Sequence, residues 1–170
     1  SEMGYGNPEK VHWRLLDTFF EELSSKLGYG GKLDRDKLER EIALLPSTKE
    51  LIEGERRLYG VESREVAVGA QMALEWQAYT MLRKLYEGAR NYRKLWQNQD
   101  AFHEACEYFY AHIGEAEKEH KKESLNAARQ YATDERRIAE ITRGYNEHLD
   151  LIAGFWRGVH KQLTKSKGGE

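Results

Sequence analysis

The sequence has a single cysteine, two prolines and no apolar run long enough to cross a membrane. Cys106 has no second cysteine to pair with, which excludes disulfides within the chain and favours a reducing compartment. A membrane-spanning helix needs about 20 apolar residues in a row, far more than any run in this chain. The sequence also does not open with a charged segment followed by an apolar one, as a secretory signal peptide does. We therefore expect a cytoplasmic protein with no membrane partner.

An excess of positive charge is also missing. Lys and Arg number 27 against 29 Asp and Glu, which gives a formal net charge of −2, and both signs are spread along the chain. This balance does not suggest a basic face for nucleic acid, so we expect no nucleic-acid partner. The 170 residues suit one domain. We expect that domain over residues 8–165, with residues 1–7 a disordered N-terminus or a vector-derived remnant and residues 166–170 a disordered tail.

Helix-forming residues dominate between a few clusters of turn residues, and this pattern predicts an all-α fold. The three long helices that it predicts run from Ser63 to Arg90, from Asn98 to Tyr131 and from about Thr133 to Lys165. Short connections between them require antiparallel packing in a single helical bundle. An N-terminal helix from Pro8 to Leu27, stopped by Gly28, and two short connecting helices, one from Asp34 and one from a capping box at Ser47, complete the bundle.

Each long helix carries at least one polar side chain inside its apolar stripe, when residues are placed at 100° intervals. These side chains are Glu75 on the first long helix, Glu117 and His120 on the second, and His148 on the third. A buried carboxylate or imidazole without a partner costs several kcal/mol, so we expect these groups to meet each other, a metal ion or water. Counting from the turns at about 1.5 Å per residue brings all four near one height.

The four inward groups favour a metal site. Glu117 and His120 are three residues apart on one helix, so both side chains can reach the same ion. Carboxylate and imidazole ligands without thiolate suit iron, manganese or zinc, and an iron or manganese pair is the interpretation we favour. A buried hydrogen-bond network of glutamate and histidine, completed by the hydroxyl of Tyr79 or Tyr145, would satisfy the same groups without metal.

Several residues border these stripes. His112 lies on the flank of the second stripe and could act as a ligand, as the partner of a ligand or as a surface residue. His12 and Glu55 could supply further ligands, although a partly buried position without such a role is the simpler interpretation of each. Trp156 is expected to line the core or a groove. Cys106 lies in the middle of an apolar stripe, where burial raises the pKa of a thiol and makes it a poor nucleophile.

Four segments between Met72 and Trp156, about half of the chain, resemble the iron-containing redox enzymes of the heme-oxygenase-like fold. These enzymes are also called heme-oxygenase-like diiron oxidases, with TenA-like and CADD-like proteins as relatives. The segments are A-L-E-W-Q-A-Y at 73–79, E-G-A-R-N-Y at 87–92, E-Y-F-Y-A-H-I-G-E-A-E-K-E-H at 107–120 and G-F-W at 154–156. The resemblance implies a compact helical bundle, carboxylate and histidine ligands around two irons, and activation of O2 to oxidise a small organic substrate.

The resemblance also implies roles for individual residues. Glu75 corresponds to a mid-chain ligand glutamate of the family. His112 and His120 correspond to the histidines of a late H-x-x-x-D-x-x-H helix, and Glu117 corresponds to its acidic residue. The two histidines are one residue further apart here than in the family pattern, which implies either a helical bulge or the loss of one ligand. An early glutamate–histidine pair of the family has no clear counterpart, and His12 is the only suggestion for it.

From these features we expect an oxidoreductase that holds one or two iron ions per chain, with manganese or zinc as alternative metals. The expected metal ligands are Glu75, His112, Glu117, His120 and His148. The expected partners are O2 and a small-molecule substrate, and a homodimer is an oligomeric state that we allow for. One alternative is a ferritin-like metal-binding bundle, whose second half-site would have to be Glu147-x-x-Asp150. The other is a non-catalytic helical interaction or oligomerisation module, in which the buried glutamate–histidine network is structural.

Overall fold

The computed structural model of the chain describes residues 7–30, 43–113 and 115–166, with the side chains of residues 115–119 and of Ser166 outside the described set. Within these residues the regular structure is entirely helical, which confirms the predicted all-α class. Single 3-10 turns lie at Pro8–Lys10 and Arg93–Leu95. The α-helices of the described ranges are α1 (His12–Lys26), α2 (Pro46–Gly60), α3 (Arg64–Arg90), α4 (Gln99–Ala105), α5 (Glu107–Ile113), α6 (Glu115–Tyr131) and α7 (Glu135–Ser166).

Two of the three predicted long helices, α3 and α7, have nearly the expected bounds. Both begin directly after a side chain that caps the first turn. The Ser63 hydroxyl accepts a hydrogen bond from the backbone N–H of Val66 at 3.3 Å, and Asp134 Oδ1 accepts one from the N–H of Arg137 at 2.9 Å. Serine and aspartate are favoured at this position because they satisfy an N–H group that has no partner within the helix.

The N-terminal helix starts later than predicted. Pro8–Lys10 forms a 3-10 turn, and α1 begins only at His12. Its end agrees with the prediction, because Gly28 adopts a positive φ of 78° just past the helix C-terminus, a conformation that glycine accepts without steric cost. Leu27, the last residue of the predicted helix, is the C-cap residue of α1 and is 42% exposed.

The predicted continuous helix from Asn98 to Tyr131 is wrong, because three helices, α4 to α6, cover this range. The first interruption is at Cys106, whose φ of −88° and ψ of 11° lie outside the helical range. The thiol is fully buried and packs in a cluster with Phe102 and Phe109. Tertiary packing rather than local helix propensity therefore sets this break.

The helix predicted from Ser47 is longer than a short connector and starts earlier. It is α2, in which Pro46 occupies the first turn, a position where the N–H that proline lacks is not needed. Leu45 is the N-cap residue and contributes no side-chain hydrogen bond, so the predicted cap at Ser47 lies inside the helix. The short helix predicted from Asp34 lies outside the described residues.

The contacts divide the chain into two compact units, Ser1–Ile42 with Tyr79–Glu117 and Ala43–Ala78 with Lys118–Glu170. The single domain predicted over residues 8–165 stays a prediction. In the first unit, Phe19 lies against Trp96 and Phe109, with ring centroids 6.2 and 5.2 Å away. The indole N–H of Trp96 donates to the Glu22 carboxylate at 2.8 Å, which satisfies the polar atom of a buried ring.

In the second unit, α2 packs antiparallel along α7. The contacts pair early residues of one helix with late residues of the other: Ser47 with Gly158, Gly54 with Leu151, and Arg57 with Glu147. A small apolar core forms beside this interface, where fully buried side chains of α2 and α3 pack together with Leu151. The residues of this core from α2 and α3 are Leu58, Val66 and Ala70.

Also in the second unit, α3 crosses α7 where two glycines lie. A Cβ atom on Gly69 would overlap the carbonyl oxygen of Ile141, and a Cβ on Gly144 would overlap the carbonyl oxygen of Val66. The two backbones can approach this closely only because neither glycine has a side chain. Within the described residues, no helix is both long enough and apolar enough to span a membrane.

Two arginines and two glutamates form a closed network along the α2–α7 interface. Arg57 donates to Glu147 at 2.7 Å and to Glu62 at 2.8 Å. Arg143 donates to Glu62 at 2.9 Å and to Glu147 at 3.1 Å. The hydrogen bond from Arg57 is the main reason that the pKa of the Glu147 carboxyl lies below its ordinary value, and the bond from Arg143 is the main reason for Glu62.

The glycine crossing generates a first prediction. Gly144→Ala is expected to lower the free energy of unfolding by about 1–3 kcal/mol, because the added methyl group forces the backbones of α3 and α7 apart. Gly154→Ala on the same helix is the control, since its Cβ would meet only Arg157 Nη2 at 3.9 Å. The control should be neutral or should raise that free energy by up to about 1 kcal/mol. Urea denaturation measures both, and equal losses would contradict the close crossing.

The network generates a prediction on pH. A carboxyl with a lowered pKa in the folded state stabilises the protein above its ordinary pKa, and this stabilisation is lost as the pH falls through the folded value. Glu147→Gln should therefore lower the melting temperature at pH 7 by about 1–3 °C. The difference from the wild type should shrink as the pH falls below 4.5, the ordinary value. Glu53→Gln, at an exposed position of α2, is the control, and a difference independent of pH would contradict the lowered pKa.

Candidate metal centre

Glu75 of α3 and His120 of α6 lie opposite each other in the second unit. Glu75 Oε2 is 3.6 Å from His120 Nδ1, and the two side chains are only 16% and 19% exposed. This separation is too long for a hydrogen bond but suits two ligands of one ion with bonds of about 2.1 Å. The other oxygen of Glu75 accepts a hydrogen bond from Gln71 Nε2 at 2.6 Å, which fixes the orientation of the carboxylate.

Glu117, the acidic residue predicted beside His120, belongs to α6 and lies three residues before that histidine. Its side chain is outside the described residues, so its role as a ligand stays a prediction. The same holds for any irregularity between His112 and His120, because Gly114 between α5 and α6 is also outside the described set.

A second carboxylate–imidazole pair joins α2 and α7. His148 is 1% exposed, and its Nδ1 lies 2.9 Å from Oε1 of Glu55. Although this distance would allow a hydrogen bond, neither atom makes one with any described residue, and the same is true of His148 Nε2. The two atoms are close enough to form an ion pair when the imidazole is protonated. Glu55, for which the sequence left a ligand role open beside the simpler interpretation of a partly buried residue without one, is thus a carboxylate neighbour of His148.

The pKa of Tyr59 on α2 is influenced by one carboxylate from each of these two pairs. Burial raises the pKa of its phenol, and the negative charges of Glu55 and Glu75 raise it further. The phenol therefore stays protonated at neutral pH. Tyr59 itself was not anticipated from the sequence, and its spacing of four residues from Glu55 is the signal that could have indicated it.

His112 lies in the first unit. Its Nδ1 is 2.7 Å from the carbonyl oxygen of Tyr108, within hydrogen-bond distance. The ring packs against Tyr108 and against His12, each with a centroid separation of 4.4 Å. His12 and His112 are therefore neighbours, as the suggested counterpart of an early ligand would require. Their function stays a prediction.

The aromatic residues predicted near the ligands are distributed over the chain. Tyr79 and Tyr145 are both partly buried, and Trp156 is 36% exposed. The Trp156 ring packs edge-on against Phe155 at 5.0 Å between centroids. Their predicted places beside the ligands stay predictions. Cys106 has the character expected of it, since burial raises its pKa to about 11.

In the described part of the chain, no three histidine, cysteine, aspartate or glutamate side chains lie close enough to hold one metal ion. Glu75, His120 and His148 of the second unit form two pairs with carboxylates or imidazoles there rather than one group, and the ligand roles predicted for them and for His112 and Glu117 stay predictions. The sequence-based count ran along three continuous antiparallel helices, whereas the predicted middle helix is interrupted at Cys106 and α3 crosses α7 at the glycines. The Glu147 carboxylate is bound by Arg57 and Arg143, which removes it from a ferritin-like second half-site.

Comparisons with known proteins point to iron, a metal that carboxylate and imidazole groups can bind. A sequence profile described as iron-containing redox enzyme matches residues 1–153. Over 150 residues the chain is 26% identical to 4-chloro-allylglycine synthase of Streptantibioticus cattleyicolor, an alignment that covers 88% of this chain and 53% of that protein. The chain thus spans about half the length of this curated relative. No solved structure gives a significant match.

The profile match covers most of the chain, and the helical structure of the described residues is consistent with the heme-oxygenase-like fold. On this evidence, the chain belongs to the family of iron-containing redox enzymes.

Proposed function

We propose that this protein is a non-heme iron oxidoreductase that uses O2 to oxidise a small organic substrate. The observation that carries the proposal is the juxtaposition of Glu75 and His120, a carboxylate and an imidazole from two helices, mostly buried and 3.6 Å apart. Oxygen and nitrogen ligands without thiolate suit iron, so the residues present fit the metal that the family name implies. Manganese and zinc suit the same ligands and remain alternatives in the proposal.

The residues around this pair have separate tasks. Glu75 supplies an oxygen ligand and a negative charge, and Gln71 holds the carboxylate in place through its hydrogen bond. His120 supplies a nitrogen ligand from the facing helix. Glu117 and His112 are the further ligands that the sequence predicts, whereas His148 lies beside a different carboxylate. Iron bound at this pair would supply a redox-active centre with open coordination positions for O2 and substrate.

The substrate class to test first is a small amino acid. The relative named 4-chloro-allylglycine synthase carries an amino acid in its name, and it aligns with 88% of this chain. Consumption of O2 by the iron-loaded protein in the presence of individual amino acids measures this directly. A rate that rises with one amino acid and is lost in Glu75→Gln supports the proposed substrate class, whereas no rise with any of them removes amino acids from the proposal.

Iron binding itself is the central prediction. Glu75→Gln and His120→Gln should each weaken binding of Fe(II) by about tenfold or more, because removing even the groups that support a metal ligand has effects of this size. The glutamine at position 75 can still accept the hydrogen bond from Gln71, so the fold should be preserved. Fe(II) bound under anaerobic conditions is measured after desalting, alongside the circular dichroism of each variant.

The controls are exposed residues of the same chemical type. Glu123→Gln on α6 and His160→Gln on α7 should bind as much iron as the wild type. Equal binding by all four variants would contradict the proposed ligands. If the wild type bound no Fe(II), manganese or zinc and its melting temperature did not respond to them, the non-catalytic helical module would be the better interpretation.

A further inference from the structure

The pair formed by Glu55 and His148 contains none of the residues that the family resemblance assigns to iron. Glu55 follows Gly54, the position where Leu151 of α7 packs against the backbone of α2. His148 is one turn before Leu151 on α7 and is 1% exposed. The pair is therefore held by two helices that pack closely, and not by a loop or a mobile side chain at the surface.

The polar atoms of this pair lack the hydrogen bonds that buried groups normally have. In the described part of the molecule, Glu55 Oε1 and both ring nitrogens of His148 are buried without a hydrogen-bond partner. A buried donor or acceptor that is left unsatisfied destabilises the folded state. Because two of these atoms are only 2.9 Å apart, a single bound species can satisfy both of them.

The separation and the atom types indicate which species that is. Two ligands at right angles on an ion, with bonds of about 2.1 Å, are about 3 Å apart. Glu55 Oε1 and His148 Nδ1 match this spacing and present an oxygen and a nitrogen. An imidazole nitrogen disfavours Mg²⁺ and Ca²⁺, whereas it suits Fe²⁺, Co²⁺, Mn²⁺ and Zn²⁺. A water that donates to both atoms would also satisfy them, and a metal titration separates these cases.

We propose that Glu55 and His148 bind a divalent transition-metal ion, at a second site distinct from the pair Glu75 and His120. The protein supplies two ligands, and solvent or substrate completes the coordination. The site makes use of an interface that the sequence could not indicate, because Glu55 lies on a helix predicted to be only a short connector.

The test is equilibrium dialysis of the full chain against Co(II), which is stable in air. The wild type should bind two equivalents, and Glu55→Gln and Glu75→Gln one equivalent each. Glu53→Gln, at an exposed position on the same helix as Glu55, should still bind two. Two equivalents in Glu55→Gln would overturn the proposed second site.

Other stoichiometries separate this site from the proposed iron pair. One wild-type equivalent that is lost in Glu75→Gln but kept in Glu55→Gln overturns the second site and leaves the iron pair in place. One equivalent lost only in Glu55→Gln supports the second site and contradicts the iron pair. No binding by the wild type overturns both.

A measurement on the wild type covers the case in which Glu55→Gln fails to fold. Crystals soaked in Co(II) give an anomalous difference map at the cobalt absorption edge. A peak between Glu55 Oε1 and His148 Nδ1 supports the site. A water-sized feature without anomalous signal at that position overturns it.

Discussion

The close approach of helix backbones to α7 is the constraint on which the second unit depends. Gly144 and Gly69 remove the side chains that would separate α3 from α7, and Gly54 does the same for α2 beside Leu151. Glu55 is the residue after one of these glycines, and His148 is one turn after another. The glycine contacts therefore fix the position of the one pair whose buried atoms have no hydrogen bond to any described residue.

Local signals account for the part of the fold that the sequence predicts well. α3 and α7 begin after capping side chains, Ser63 and Asp134, and the end of α1 is marked by Gly28 in the left-handed conformation. Where no such signal exists, the prediction fails. Leu45 caps α2 without a side-chain hydrogen bond, and no glycine or proline marks the break at Cys106, where the buried thiol packs in the aromatic core.

For the candidate site, the sequence predicted which side chains face inward but not which residues they meet. Periodicity alone indicated that Glu75, His120 and His148 face inward, and each of them is partly or fully buried. Periodicity gives the direction of a side chain but not its partner, which depends on how helices cross. The pairing of His148 with Glu55 was therefore not predictable from residue counting. The comparison with iron-containing redox enzymes supplies the metal, whereas the structure supplies the distances.

The network of Arg57, Glu62, Arg143 and Glu147 has one further effect on its surroundings. It contains two positive and two negative groups in a closed ring, in which each cation contacts both anions. A ring of this kind is electroneutral, and its far field is that of a quadrupole, which decays over a short distance. It can thus fasten α2 to α7 without adding a net charge beside the neighbouring Glu55 and His148. Neutralising any single member of the network would leave one uncompensated charge near Glu55 and His148.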